Sequence, residues 1–283
     1  ARVAECGEML FDLFRGLQAE MMFLKGLFDK LGIEMQFIRG SNNRFKSYGE
    51  TFILKEMSPE NERQMSELIG GLWDQYLTVV GASRNIDKAK LNEVAEKLVV
   101  REAKDAVGAG MIDGLKYRDE VITLMKEKMG LDTDEDLRLL SSAKYARASM
   151  PVNAGEKAVS TYNKPKLAVV YAQGDINSGE SEEGSIGSTT IAEALRQARE
   201  DSTVKAIVFR VNSPGGSGLA SDVIWREVTL AKAVKPVVVS MGDLAASGGY
   251  YISCAASKIY AEPTTITGSI GVFGIIPNMQ GFF

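Results

Sequence analysis

Val237-Val238-Val239-Ser240-Met241-Gly242-Asp243-Leu244-Ala245-Ala246-Ser247-Gly248-Gly249-Tyr250-Tyr251 reads as strand, turn and helix in succession. Val237–Met241 is a short apolar, β-branched run, and residues 247–256 carry a helical pattern. Ser247 therefore stands at a helix N-terminus, where free N–H groups and the positive end of the dipole point. Two readings compete there. Serine is a favoured N-cap. Serine is also a nucleophile, but one that needs an adjacent base. The chain has no histidine, so a Ser-His-Asp triad cannot be built from its residues. A desolvated lysine is the available substitute.

Working outward, Leu167–Ala172 and Ala206–Val211 are further strand-like runs. Thr189–Arg199 and Ser221–Ala233 between them have helical patterns. This alternation predicts βαβ units and a buried parallel sheet. It puts Asn212-Ser213-Pro214-Gly215-Gly216-Ser217 and Gly242–Ser247 in loops at the carboxyl ends of strands, where such sheets bind ligands. The N–H of Gly248 is a natural oxyanion donor, and the Pro214-Gly215-Gly216 turn offers a second. Most Pro-Gly-Gly turns are only turns, however. Spacing alone does not choose the lysine. Lys46 is flanked by Phe45, Tyr48 and Phe52, which would desolvate it and lower its pKa.

The first half reads as mainly helical. A helix is predicted over 9–31, ended by Gly32, then a strand over Glu34–Ile38 and a polar loop over Arg39–Arg44. Ser58-Pro59 starts a helix that runs to about Val80. Further helices are expected from Asp87 to Val100, over Tyr117–Met129 and over Thr133–Leu140. Met150–Pro165 is polar and irregular and reads as linker.

The three stretches around Gly215-Gly216, Ser247 and Thr267-Gly268-Ser269-Ile270-Gly271-Val272 resemble, in that order, the S49 family of Ser–Lys peptidases, the signal peptide peptidase A family. Phe45-Lys46-Ser47-x-x-Glu50-x-Phe52 is similar to the stretch that carries the family's base lysine. The resemblance implies an α/β, ClpP/crotonase-like fold in the long, duplicated form. Its two tandem repeats of ββα-type units would both be truncated here. Residues 1–125 would be the latter half of the amino-terminal repeat and 126–165 a linker. Residues 166–283 would then be the first half of the carboxy-terminal repeat. It implies Ser247 as nucleophile, Lys46 as base and Ser269 orienting the lysine, with oxyanion N–H groups from Gly216 and Gly248. Lys55 is the fallback base. It further implies signal-peptide-like substrates, a homotetramer, and attachment to the outer side of a bacterial inner membrane through a segment absent from this chain. A crotonase-type acyl-CoA enzyme is the alternative and would need a carboxylate, for which Asp243 is the nearby residue. A catalytically inactive scaffold of the same fold is the other.

Composition is that of an ordinary globular chain, with 45% hydrophobic and 25% charged residues and a net charge of −4. No basic stripe suggests nucleic acid. No apolar run reaches the roughly 18–20 residues that span a bilayer. The acidic clusters have no histidine to join them, so neither metal nor cofactor is expected. Cys6 and Cys254 are too few for a disulfide framework, and Cys254 reads as a buried small hydrophobe. The chain does not begin with Met and ends abruptly; both ends read as cut from something longer, with sheet edges prone to aggregation.

Overall fold

The structure is a computed structural model that describes residues 3–5, 14–132, 135–146 and 164–283. Its elements are β1 (Val3–Glu5), α1 (Lys25–Lys30), β2 (Glu34–Arg39), α2 (Glu50–Ile53), α3 (Pro59–Arg84), α4 (Lys88–Glu96), α5 (Ala103–Gly108), β3 (Gly114–Lys116), α6 (Arg118–Met129) and α7 (Ser142–Ala146). The second half follows with β4 (Lys166–Gln173), β5 (Asp175–Asn177), β6 (Ser185–Gly187), α8 (Ser188–Glu200), β7 (Val204–Ser213), α9 (Gly218–Val234), β8 (Val237–Ala246), α10 (Gly248–Cys254), β9 (Lys258–Tyr260), β10 (Ile266–Gly268) and β11 (Phe273–Asn278). Two compact units gather these: residues 1–18 with 73–160, and residues 19–72 with 161–283. The boundary after Leu72 falls inside α3.

The first unit is helical. Leu77, Leu91, Val94, Ala95 and Val100 form its buried centre. Asp87 caps α4 by accepting from the N–H groups of Ala89 and Lys90, which satisfies two donors the helix leaves unpaired. Gly130 ends α6 in the left-handed conformation that glycine permits.

The second unit is the expected parallel α/β layer. Its sheet runs β10-β8-β7-β4, with β9 on β8, and all pairs are parallel. Ile207, Phe209 and Val211 on β7 and Val237 and Val239 on β8 point one way and pack with Leu195 of α8, Ile224 and Val228 of α9 and Ile252 of α10. Each such side chain contributes about 1.5–3 kcal/mol by burial. Among the described residues of this unit, the helices cover this face. Leu167, Val169 and Tyr171 of β4 alternate with the core residues and are exposed, so the expectation of a sheet buried throughout does not hold. A separate antiparallel pair joins β2 to β11, with Arg39 opposite Phe273.

Several boundaries differ from the sequence reading. Gly242–Ser247, expected as a loop, is largely strand. β8 pairs β7 over Val237–Met241, shifts register, and then pairs β10 over Leu244–Ala246. A Cβ on Gly242 would stand 2.9 Å from the Asn212 side chain, whose Oδ1 accepts from the Leu244 N–H at 3.1 Å. The helix expected over 9–31 is confined to α1; residues 14–24 are irregular and 9–13 lie outside the described residues. Of Thr133–Leu140, residues 135–140 form no helix, and 133–134 lie outside the described residues. So do Cys6 and linker residues 150–163. Among the described residues no helix is long and apolar enough to cross a membrane.

Candidate active site

Ser247 sits between the end of β8 and the start of α10 with φ 52° and ψ −117°. That conformation is sparsely populated for a residue with a Cβ and costs on the order of 1–3 kcal/mol. Two clamps hold it. The Ser247 N–H donates to the Gly268 carbonyl at 2.8 Å, and the Ser247 carbonyl accepts from the Tyr251 N–H at 2.9 Å. The side chain makes no capping hydrogen bond, so the N-cap reading fails. The hydroxyl points instead at a lysine.

Lys46 comes from the irregular segment between β2 and α2. Its Nζ lies 3.0 Å from Ser247 Oγ, 3.1 Å from Ser269 Oγ and 2.6 Å from the Ser269 carbonyl oxygen. The residue is 5% exposed. Burial pushes its pKa below the ordinary 10.5, because a charged amine loses hydration there. No carboxylate pairs with it among the described residues. The Phe273 ring, 5.7 Å away, favours the charged form, and desolvation outweighs it. The three oxygens suit a neutral amine: two N–H donors for Ser269, and one lone pair for the Ser247 hydroxyl.

The glycine turn packs directly against the serine. Gly215 has φ 106° and Gly216 φ 149°. A Cβ on Gly215 would come within 2.6 Å of the Gly248 nitrogen and 2.8 Å of Ser247 Cβ. Ile176 bridges this turn through the Gly215 carbonyl and the Ser217 N–H, both at 2.8 Å. Among the described residues the Gly216 N–H has no hydrogen-bond partner. Gly248 opens α10, so its N–H has no partner within the helix. Both N–H groups border a cavity of about 610 Å³, walled by Tyr250, Tyr251, Ile270, Val272 and Phe273 and floored by Gly218 and Ser221. Among the described residues no carboxylate lines it. Cys254 lines it too, exposed, with Sγ donating to the Tyr251 carbonyl; the expectation that it is buried is wrong.

The structure thus brings Lys46, Ser247, Ser269, Gly216 and Gly248 together, and leaves Lys55 and Asp243 exposed. Sequence reasoning missed the support beneath Lys46. Ser47 Oγ donates to Asn61 Oδ1 at 2.9 Å, and Gln64 donates to both. Glu50, 1% exposed, accepts from Ser58 Oγ at 2.8 Å and faces Arg39 at 3.5 Å. Glu50 stood in the quoted motif, but nothing in the sequence named its partners.

The model of peptidase family S49 matches residues 14–132 and 229–283. The chain is 37% identical over 272 residues to the chloroplastic serine protease SPPA of Arabidopsis thaliana, covering 93% of this chain and 38% of that one. It is 38% identical over 274 residues to Protease 4 of Salmonella typhi, covering 94% and 42%. Among solved structures, ClpP1 from Listeria monocytogenes is similar over 31% of this chain and 46% of that one, at 29% identity and a TM-score of 0.25. The chain spans about two fifths of the length of the SPPA and Protease 4 relatives it matches. With the family model covering more than half of its residues, this chain belongs to peptidase family S49.

Proposed function

We propose that this chain carries the catalytic pair of a Ser–Lys endopeptidase. The observation that carries the reading is the 3.0 Å approach of Lys46 Nζ to Ser247 Oγ, from residues 201 positions apart in sequence. Neutral Lys46 takes the proton of Ser247 as Oγ bonds to a peptide carbonyl carbon. The carbonyl electron pair moves to oxygen, where the Gly216 and Gly248 N–H groups receive it. Collapse breaks the C–N bond, and the Lys46 ammonium protonates the leaving amine. Water, deprotonated by Lys46, then releases the acyl group as a carboxylate. Ser269 fixes the amine's orientation through both its oxygens, the role a third group plays in such sites.

The apolar walls of the cavity support extended, apolar peptides as substrates, and cleaved signal peptides fit that description. The division into a lysine-bearing repeat over 1–125, a linker over 126–165 and a serine-bearing repeat over 166–283 belongs to the same proposal. So do assembly into a homotetramer and attachment outside a bacterial inner membrane. The absence of a lining carboxylate weighs against acyl-CoA chemistry.

Fluorophosphonate labelling with mass mapping tests the proposal. Wild type is expected to gain one adduct, on Ser247, with labelling lost in Ser247→Ala and Lys46→Ala. An adduct that survives Lys46→Ala moves the base elsewhere. A wild-type protein that takes no adduct overturns the peptidase reading.

A further inference from the structure

Lys46 has four side-chain torsions and stands on a segment without regular structure, yet a proton transfer partner must be held to within about 0.5 Å. The Lys46 N–H donates to the Asn43 carbonyl at 3.1 Å. The Lys46 carbonyl is held by Arg39. Arg39 closes β2, and its Cα partner across the antiparallel pair is Phe273, the first residue of β11. Its Nη1 donates to the Lys46 carbonyl and to the Arg44 carbonyl, both at 3.0 Å. The same nitrogen lies 3.5 Å from buried Glu50, and the guanidinium carbon stands 5.3 Å over the Phe37 ring.

We infer that Arg39 is the positioning residue of the site, tying the backbone of the lysine segment to the strand that follows Ser269. This rests on the Ser–Lys reading and names a part that the reaction itself does not touch. One guanidinium touches three pieces at once: the segment bearing Lys46, the carboxylate at the start of α2, and the β2–β11 pair. Phe273 links that pair back to Lys46 Nζ. The charged groups around the segment's backbone are Arg39, Arg44 and Glu50, whereas Nζ itself faces Ser247, Ser269 and Phe273. Arg39 therefore acts through geometry, without contact with the reacting atoms.

The test is the second-order rate constant of fluorophosphonate labelling per reactive site, followed against pH in the full-length protein. The variants are Arg39→Gln, Arg39→Lys and the double variant Arg39→Gln/Glu50→Gln. The double variant removes both members of the pair, so no unpaired charge is left buried to unfold the protein. A misplacement of 1 Å can cost about 100-fold. A fall of that order is expected in Arg39→Gln and in the double variant. The pH midpoint should rise toward 10.5, the ordinary lysine value, as Lys46 loses its buried position. Arg39→Lys, which keeps a donor and a charge, is expected to fall between. Rates and midpoints like wild type in the double variant overturn the inference while leaving the Ser–Lys pair intact. Labelling that persists in Ser247→Ala overturns both.

Discussion

A lysine serves as a base only while neutral, and its working pH follows from its surroundings. Burial lowers the Lys46 pKa from 10.5, so the neutral fraction, and acylation with it, should rise with pH to a midpoint below 10.5. Lys46→Arg keeps the charge but cannot lose its proton; labelling should drop to the Ser247→Ala baseline at every pH. The same burial opposes folding. Below the folded pKa the amine is charged in both states, and the full desolvation cost is present. Above 10.5 it is neutral in both, and the cost is gone. Stability should therefore climb with pH across that window. Lys46→Met should raise the thermal midpoint at pH 7 while abolishing activity, and about 1 kcal/mol recovered moves that midpoint about 2–4 °C. A midpoint that falls in calorimetry would mean that the hydrogen bonds to Ser247 and Ser269 outweigh desolvation. Ser247 was legible as a residue of interest from its neighbours. Only the structure removed the cap reading, because a residue at φ 52° does not aim its hydroxyl back at its own helix and the side chain makes no capping bond.

At the scale of elements, the site is a junction of two turns whose atoms nearly touch. Gly215→Ala would force a Cβ to within 2.6 Å of the Gly248 nitrogen at a φ of 106°. It is expected to cost about 1–3 kcal/mol and to cut acylation more than binding, visible as a fall in kcat with KM nearly constant. In the second unit β2, β4, β7, β8, α8, α9 and α10 were legible because each combines a regular period with clear end signals, whereas α2, β5, β6, β9, β10 and β11, of three to six residues each, were not read. Two helices were misread for physical reasons. Residues 14–24 have apolar residues at helical spacing, but Gly16 adopts φ 97°, which no helix admits. The Phe14 ring packs on Trp73 and Tyr76. Residues 135–140 end in exposed Leu139 and Leu140, so a helix there would have no face to bury, and short helices depend on burial. The Arg39–Glu50 clamp was invisible for another reason: its members are spaced by the loop they hold, with no period to mark them.

For the whole molecule, the sheet's outer strand is the liability. Among the described residues β4 is an edge, and its exposed row of Leu167, Val169 and Tyr171 offers both unpaired backbone groups and apolar surface. The isolated chain is expected to self-associate with concentration in sedimentation velocity, and Val169→Lys should suppress it; a wild-type chain that stays monomeric contradicts this. The β2–β11 pair carries a different consequence. A ribosome delivers the serine's strand and helix before Phe273, the residue opposite Arg39, has been added. Until then the lysine segment lacks the Phe273 ring beside Lys46 Nζ and the strand that pairs β2. The lysine segment therefore gains its strand partner only after the serine's own strand and helix have been made, so the two halves of the site are joined in an order that the polypeptide itself sets.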